Sequence, residues 1–148
     1  MSVPTHRVAV LDTDVWSNLY AHQRETPNVA EWRRLLLGVT VVIAAHSRAE
    51  VLGGLLWHPV GPEREARIRQ QLEKTPTVPV DEDVVQACAR LYAEARRSGH
   101  CLGQKIHTND RWIAATAIAI DAPLLALDGV FRGAPRLELL GEPENIGG

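Results

Sequence analysis

The chain has 148 residues, 45% of them hydrophobic and 23% charged, with a formal net charge of −2 at pH 7. That composition excludes a disordered chain and fits one folded domain, and its near-neutral charge excludes a basic field of the kind that marks a whole-molecule nucleic-acid binder. No apolar run approaches the ~20 residues that cross a bilayer, "MSVPTHRVAV" is too short in apolar residues for a secretory signal, and Cys88 and Cys101 are too few for a disulfide framework, so a reducing cytoplasm is expected.

In chain order, "VAVL" at 8–11 reads as a strand apolar on both faces, the pattern of a buried central strand. It runs into Asp12 and Asp14 and then into a helix, for which Asp14 is a candidate cap. "EWRRLLLG" follows as a helical pattern, with "TVVIAA" at 40–45 as the second strand. "SRAEVLGGLLWH" is the next helix; Ser47 and Glu50 stand at the spacing of a capping box. After "EREARIRQQLEK", a third strand is expected at "TVPV", 77–80. In "DEDVVQACARLYAEARRSG", Val84, Cys88, Leu91 and Ala95 recur at i, i+4, i+7 and i+11, one face of an amphipathic helix that includes Cys88 as a core residue. "NDRWIAATAIAI" repeats the pattern with Ile113, Ala117 and Ile120. "PLLAL" at 123–127 is the fourth strand, and "RLELL" is a candidate edge strand. Residues 1–140 are read as a single domain and 141–148, "GEPENIGG", as a frayed tail.

Strands alternating with helices imply βαβ units and an α/β fold, a parallel sheet with helices on both faces. Ligands of such sheets bind beyond the carboxyl ends of the strands. Acids recur there: Asp12 and Asp14 after the first strand, Glu50 in the helix after the second, Asp110 at the start of the helix before the last, and Asp128 after it. Most of them have a structural reading of their own. Glu50 fits a capping box, Asp110 a first helical turn, and Asp128 an Asp-Gly turn. Asp12 resists one, because an unpaired charge at the end of a buried strand is costly. Carboxylates gathered within ~4–6 Å raise one another's pKa, an arrangement that a cation relieves. The six histidines show no zinc-like spacing, so an all-oxygen donor set points to Mg²⁺ or Mn²⁺ and to phosphoryl chemistry. His46 stands near Glu50 and is read as a surface residue. Arg48, Lys105 and Arg111 are candidates for flanking phosphates; Trp16 is a candidate base-stacking residue, with packing expected of it and of Trp32, Trp57 and Trp112.

"VLDTDVWSNL", "SRAEVLGGL" and "NDRWIAATAIAIDAPLLALDGVF" together resemble a PIN domain, most of all the VapC-type toxin ribonucleases of type II toxin–antitoxin systems, nearly end to end from Val8 to Leu139. The resemblance implies a three-layer α/β/α sandwich with a parallel central sheet. It places the family's metal-binding and catalytic acids on Asp12, Glu50, Asp110 and Asp128. It further implies Mg²⁺- or Mn²⁺-dependent hydrolysis of single-stranded or looped RNA, a homodimer, and neutralisation by a cognate antitoxin whose tail covers the acidic pocket. Two positions depart from the pattern: Asp14, often Asn in the family, and Ala126, often Thr or Ser.

Two alternatives stand beside this reading. "DTDV" after an apolar strand also fits a haloacid-dehalogenase-like phosphatase with Asp12 as nucleophile, although neither Lys74 nor Lys105 is suitably placed. A PIN-like fold can also serve as a catalytically silent binding module.

Overall fold

The computed structural model describes residues 6–143; most of the expected tail, 144–148, lies outside the described residues. Four strands, β1 (Val8–Leu11), β2 (Thr40–Ala44), β3 (Thr77–Val78) and β4 (Leu124–Leu125), form one sheet in the order β3-β2-β1-β4. All pairings are parallel, with Leu11 level with Ile43 on one side and with Leu125 on the other. β1 therefore lies inside the sheet, as its uninterrupted apolar run requires.

The last two strands are shorter than their apolar runs. Pro79 has no N–H to continue the ladder beyond β3. Beyond β4, the Leu127 N–H turns away and donates to the Asp12 carboxylate at 3.1 Å. The "RLELL" segment contributes an isolated parallel bridge, Leu124 to Leu139, rather than a strand.

Alternation along the strands builds a core on each face. Val10, Val42, Ala44 and Leu124 face one layer, with Leu91, Ala95, Ile113 and Ala117. Leu11, Ile43 and Leu125 face the other, with Val15, Trp16, Leu55, Ile68 and Leu72. The first layer carries α5 (Glu82–Ser98) and α6 (Thr108–Ala119); the second carries α1 (Thr13–Trp16), α2 (Pro27–Leu35), α3 (Ala45–Trp57) and α4 (Pro62–Lys74). The expected three-layer α/β/α sandwich is what forms.

Local chemistry fixes the helix ends. Thr26 caps α2 with Pro27 as its first residue, and Asp81 caps α5. Gly99 ends α5 at φ 75, a conformation that disfavours side chains with a Cβ. α1 continues as a π-helical turn, Ser17–Ala21. Among the described residues no helix is long and apolar enough to cross a membrane.

Trp16 is fully buried and donates its indole N–H to Thr75 Oγ1 at 3.0 Å. It is therefore a packing residue and offers no face to a base. Trp57, expected to pack, is instead 77% exposed at the end of α3.

Candidate active site

β1 delivers Asp12 to the carboxyl edge of the sheet, where the side chain is 5% exposed. Asp12, rather than Asp14, caps α1: its Oδ1 accepts from the Val15 N–H at 2.8 Å, while Oδ2 accepts from Leu127. One carboxylate thus ties the start of α1 to the segment after β4. Burial pushes this carboxyl up from 3.8 to about 7, against the lowering effect of the two N–H donors; Asp14 and Asp110 add to the rise through their charge. A buried anion with these neighbours is half protonated near neutral pH unless a cation joins it.

β2 passes directly into α3, which begins at Ala45, earlier than the capping-box spacing suggests. Ser47 therefore lies inside the helix, fully buried, and no such box forms. Glu50 instead extends toward α1 and α6. Its Oε1 accepts from Thr13 Oγ1 at 2.9 Å and from Asn109 Nδ2 at 2.5 Å, and Ser47 Oγ stands 3.0 Å behind Thr13 Oγ1. Partial burial raises the Glu50 carboxyl, the two donors oppose that rise, and the charges of Asp110 and Asp14 reinforce it.

Asp110 occupies the first turn of α6, and its Oδ2 lies 3.2 Å from His107 Nδ1. Its carboxyl is also raised, first by burial, with His107 lowering it and Asp128 and Asp14 raising it. Asp128 accepts from the Val130 N–H at 3.0 Å and so caps a short 3₁₀ turn at Gly129–Phe131. This is the expected Asp-Gly turn. The acids nevertheless form a mutually repelling set: Asp12 feels Asp14 and Asp110, Glu50 feels Asp110 and Asp14, and Asp110 feels Asp128 and Asp14.

Sequence reasoning missed two scaffolding interactions: the His107–Asp110 contact, for which the i, i+3 spacing is a readable signal, and the Asn109–Glu50 bond, which joins residues 59 apart and has no signal in the sequence. His46, expected at the surface, is half-buried. Its ring stacks on Trp112 at 5.3 Å with the planes 10° apart, and burial lowers its pKa. Arg111 is buried rather than available to phosphate, donating to Leu102 O at 2.8 Å and Gln104 O at 3.3 Å. It holds the 101–107 segment against α6. Arg48 donates to Leu72 O and so links α3 to α4. Lys105 is exposed, and Ala126 is buried in the α5–α6 core.

The donor set is carboxylate oxygen only, crowded and partly desolvated, which suits a hard divalent ion. Among the described residues no group of three His, Cys, Asp or Glu side chains closes into a ready-made metal site. The set therefore fits an ion held by one or two carboxylates with water completing its shell, the habit of Mg²⁺, and does not fit a fully protein-enclosed cage.

The chain matches the PIN domain family over residues 9–137. It is 30% identical over 139 residues to Ribonuclease VapC4 of Mycobacterium tuberculosis, an alignment spanning 90% of this chain and 96% of that protein. Among solved structures, VapBC2 of Rickettsia felis, bound to a DNA fragment from its promoter, superimposes with a TM-score of 0.73 at 20% identity, covering 89% of this chain and 96% of that one. VapBC-5 of Mycobacterium tuberculosis, from the VapBC family of toxin–antitoxin systems, gives a TM-score of 0.62 at 26% identity, covering 90% and 98%.

Proposed function

We propose, from the premise that the chain belongs to the PIN domain family, that it is an Mg²⁺- or Mn²⁺-dependent endoribonuclease. Its substrate is single-stranded or looped RNA, and its biological role is the toxin of a toxin–antitoxin pair. The observation that carries this reading is the set of acids at the carboxyl edge of the sheet, with Asp12 buried and its carboxyl pushed up to about 7.

Asp12 and Asp110 are the residues that would hold the ion, with Glu50 and Asp128 reaching it directly or through water. When bound, the ion offsets charge on the scissile phosphate and lowers the pKa of an attacking water. The chain's own residues do the positioning. The N–H groups of Val15 and Leu127 fix the plane of the Asp12 carboxylate. Thr13 and Asn109 fix Glu50 Oε1, joining three elements around one oxygen. His107 orients Asp110, and Arg111 braces the loop that carries His107. The protein partner is a cognate antitoxin and the assembly a homodimer.

The test is cleavage of single-stranded RNA with and without Mn²⁺, with the 5′ ends of the products sequenced. Asp12→Asn and Asp110→Asn should each lose metal-dependent cleavage by 100-fold or more, on the order expected when a transition-state electrostatic contact is removed. Wild-type rates in both variants would reject the assignment, and a wild-type protein that gains thermal stability from Mn²⁺ but cleaves no RNA would point to the binding module. Co-expression with the product of an adjacent short reading frame tests the antitoxin.

A further inference from the structure

Beside the acids lies a cavity of about 280 Å³, lined by Ser17, His22, Glu50, Gly54, His58 and Arg64 among others. Its size falls just below the ~300–1,000 Å³ range of small-molecule pockets, right for one planar heterocycle. Glu50 belongs both to this cavity and to the acidic cluster, so whatever enters the cavity lies next to the group bound at the acids. The walls are mostly apolar, with Val51, Leu55, Val60 and Ile68 behind the polar rim.

The rim is cationic where the cluster is anionic. Arg64 Nη2 stands 3.1 Å from His22 Nδ1. A guanidinium only donates, so Nδ1 is the acceptor and the ring proton sits on Nε2. Partial burial and the charges of Arg64 and Arg24 lower the His22 pKa, which keeps this neutral tautomer. Arg67 lies outside the lining but donates to the carbonyl of the lining residue Ala21 at 3.3 Å, which brings a second guanidinium close behind it. His58 also meets the exposed Trp57 edge-on at 5.7 Å, leaving an open aromatic face at the cavity's margin.

We propose that this cavity receives an unpaired RNA base flanking the scissile phosphate, with Arg64 and His22 reading its edge or holding its phosphate. A cation-fringed apolar slot beside an ion-binding acid cluster matches a polyanion that carries flat, splayed bases. The proposal rests on the ribonuclease reading and deepens it.

Gly54 provides the test. A Cβ there meets no atom within 4 Å, and the same holds for Gly53, which does not line the cavity. Gly54→Leu therefore fills the slot and Gly53→Leu is its matched control. The readouts are cleavage of short RNAs carrying each base beside the mapped cut, and equilibrium binding of fluorescent RNA tetramers to an Asp110→Asn background. Gly54→Leu and Arg64→Gln should weaken tetramer binding about tenfold and flatten the base preference, the scale of one stacked base. Gly53→Leu should leave both unchanged, and the Mn²⁺-induced rise in melting temperature should persist in all three. An unaltered preference and affinity in Gly54→Leu overturns the proposal, as does loss of a protein partner with RNA binding intact. If wild-type cleaves no RNA while Gly54→Leu still weakens tetramer binding, the ribonuclease reading fails and the base slot stands; if the Asp110→Asn protein binds no tetramer, the slot fails.

Discussion

Replacing Asp12 by Asn isolates the electrostatic cost of the buried carboxylate. In the folded protein this group titrates near about 7, against 3.8 for the free side chain. Since the folded value is the higher, the group's stabilising contribution is complete below 3.8 and is lost as the pH rises through about 7. From pH 5 to pH 8 that loss amounts to roughly 2–3 kcal/mol in the wild type. Asn does not titrate. It keeps an acceptor for the Val15 N–H but turns an amide donor toward Leu127, at a pH-independent cost of about 1–3 kcal/mol. Urea unfolding in chelator at pH 5, 6.5 and 8 should therefore show the stability difference moving toward the variant by roughly 2–3 kcal/mol. A difference constant to within about 0.5 kcal/mol, well below that expected swing, would refute the buried-carboxylate argument.

Thr13→Val removes one donor from Glu50 and should raise its carboxyl further, so that Mn²⁺ binding weakens and the loss is greater at lower pH than at higher, as read by calorimetry. Arg111→Met strips the carbonyls of Leu102 and Gln104 of their donor; urea melts should show a loss of about 2–4 kcal/mol. Trp16→Phe deletes the bond to Thr75 and leaves a small cavity; a loss of about 1–3 kcal/mol is expected, with RNA cleavage unchanged because Trp16 is fully buried.

The fold was legible because its signals are local. An apolar run at 8–11 can be satisfied only inside a covered sheet, and the i, i+4, i+7 stripe of α5 packs as its period requires. Strand length was less legible: the ends of β3 and β4 are set by a missing proline N–H and by the capture of the Leu127 N–H by Asp12, a partner 115 residues away. At the site, the positions of the acids could be read but not their bonds. Asp14 is the candidate cap by sequence, yet Asp12 takes that role because α1 begins at Thr13, and the same side chain also reaches across to Leu127. Ser47 and Glu50 satisfy a capping-box pattern yet serve a different network, since α3 starts without a break from β2. The burial of Arg111 and the stacking of His46 on Trp112 depend on helices meeting in space, which spacing along the chain does not encode.

The central claim is that the acids act as one divalent-ion cup. Calorimetric titration of Mn²⁺ at pH 6.5, in two buffers of different ionisation enthalpy, tests it most directly. Wild-type protein should bind saturably and release a fraction of a proton, because the ion displaces the one that Asp12 holds near neutral pH. Asp12→Asn should lose both the affinity and the proton release. Absence of saturable binding, or an identical isotherm from Asp12→Asn, would contradict the account.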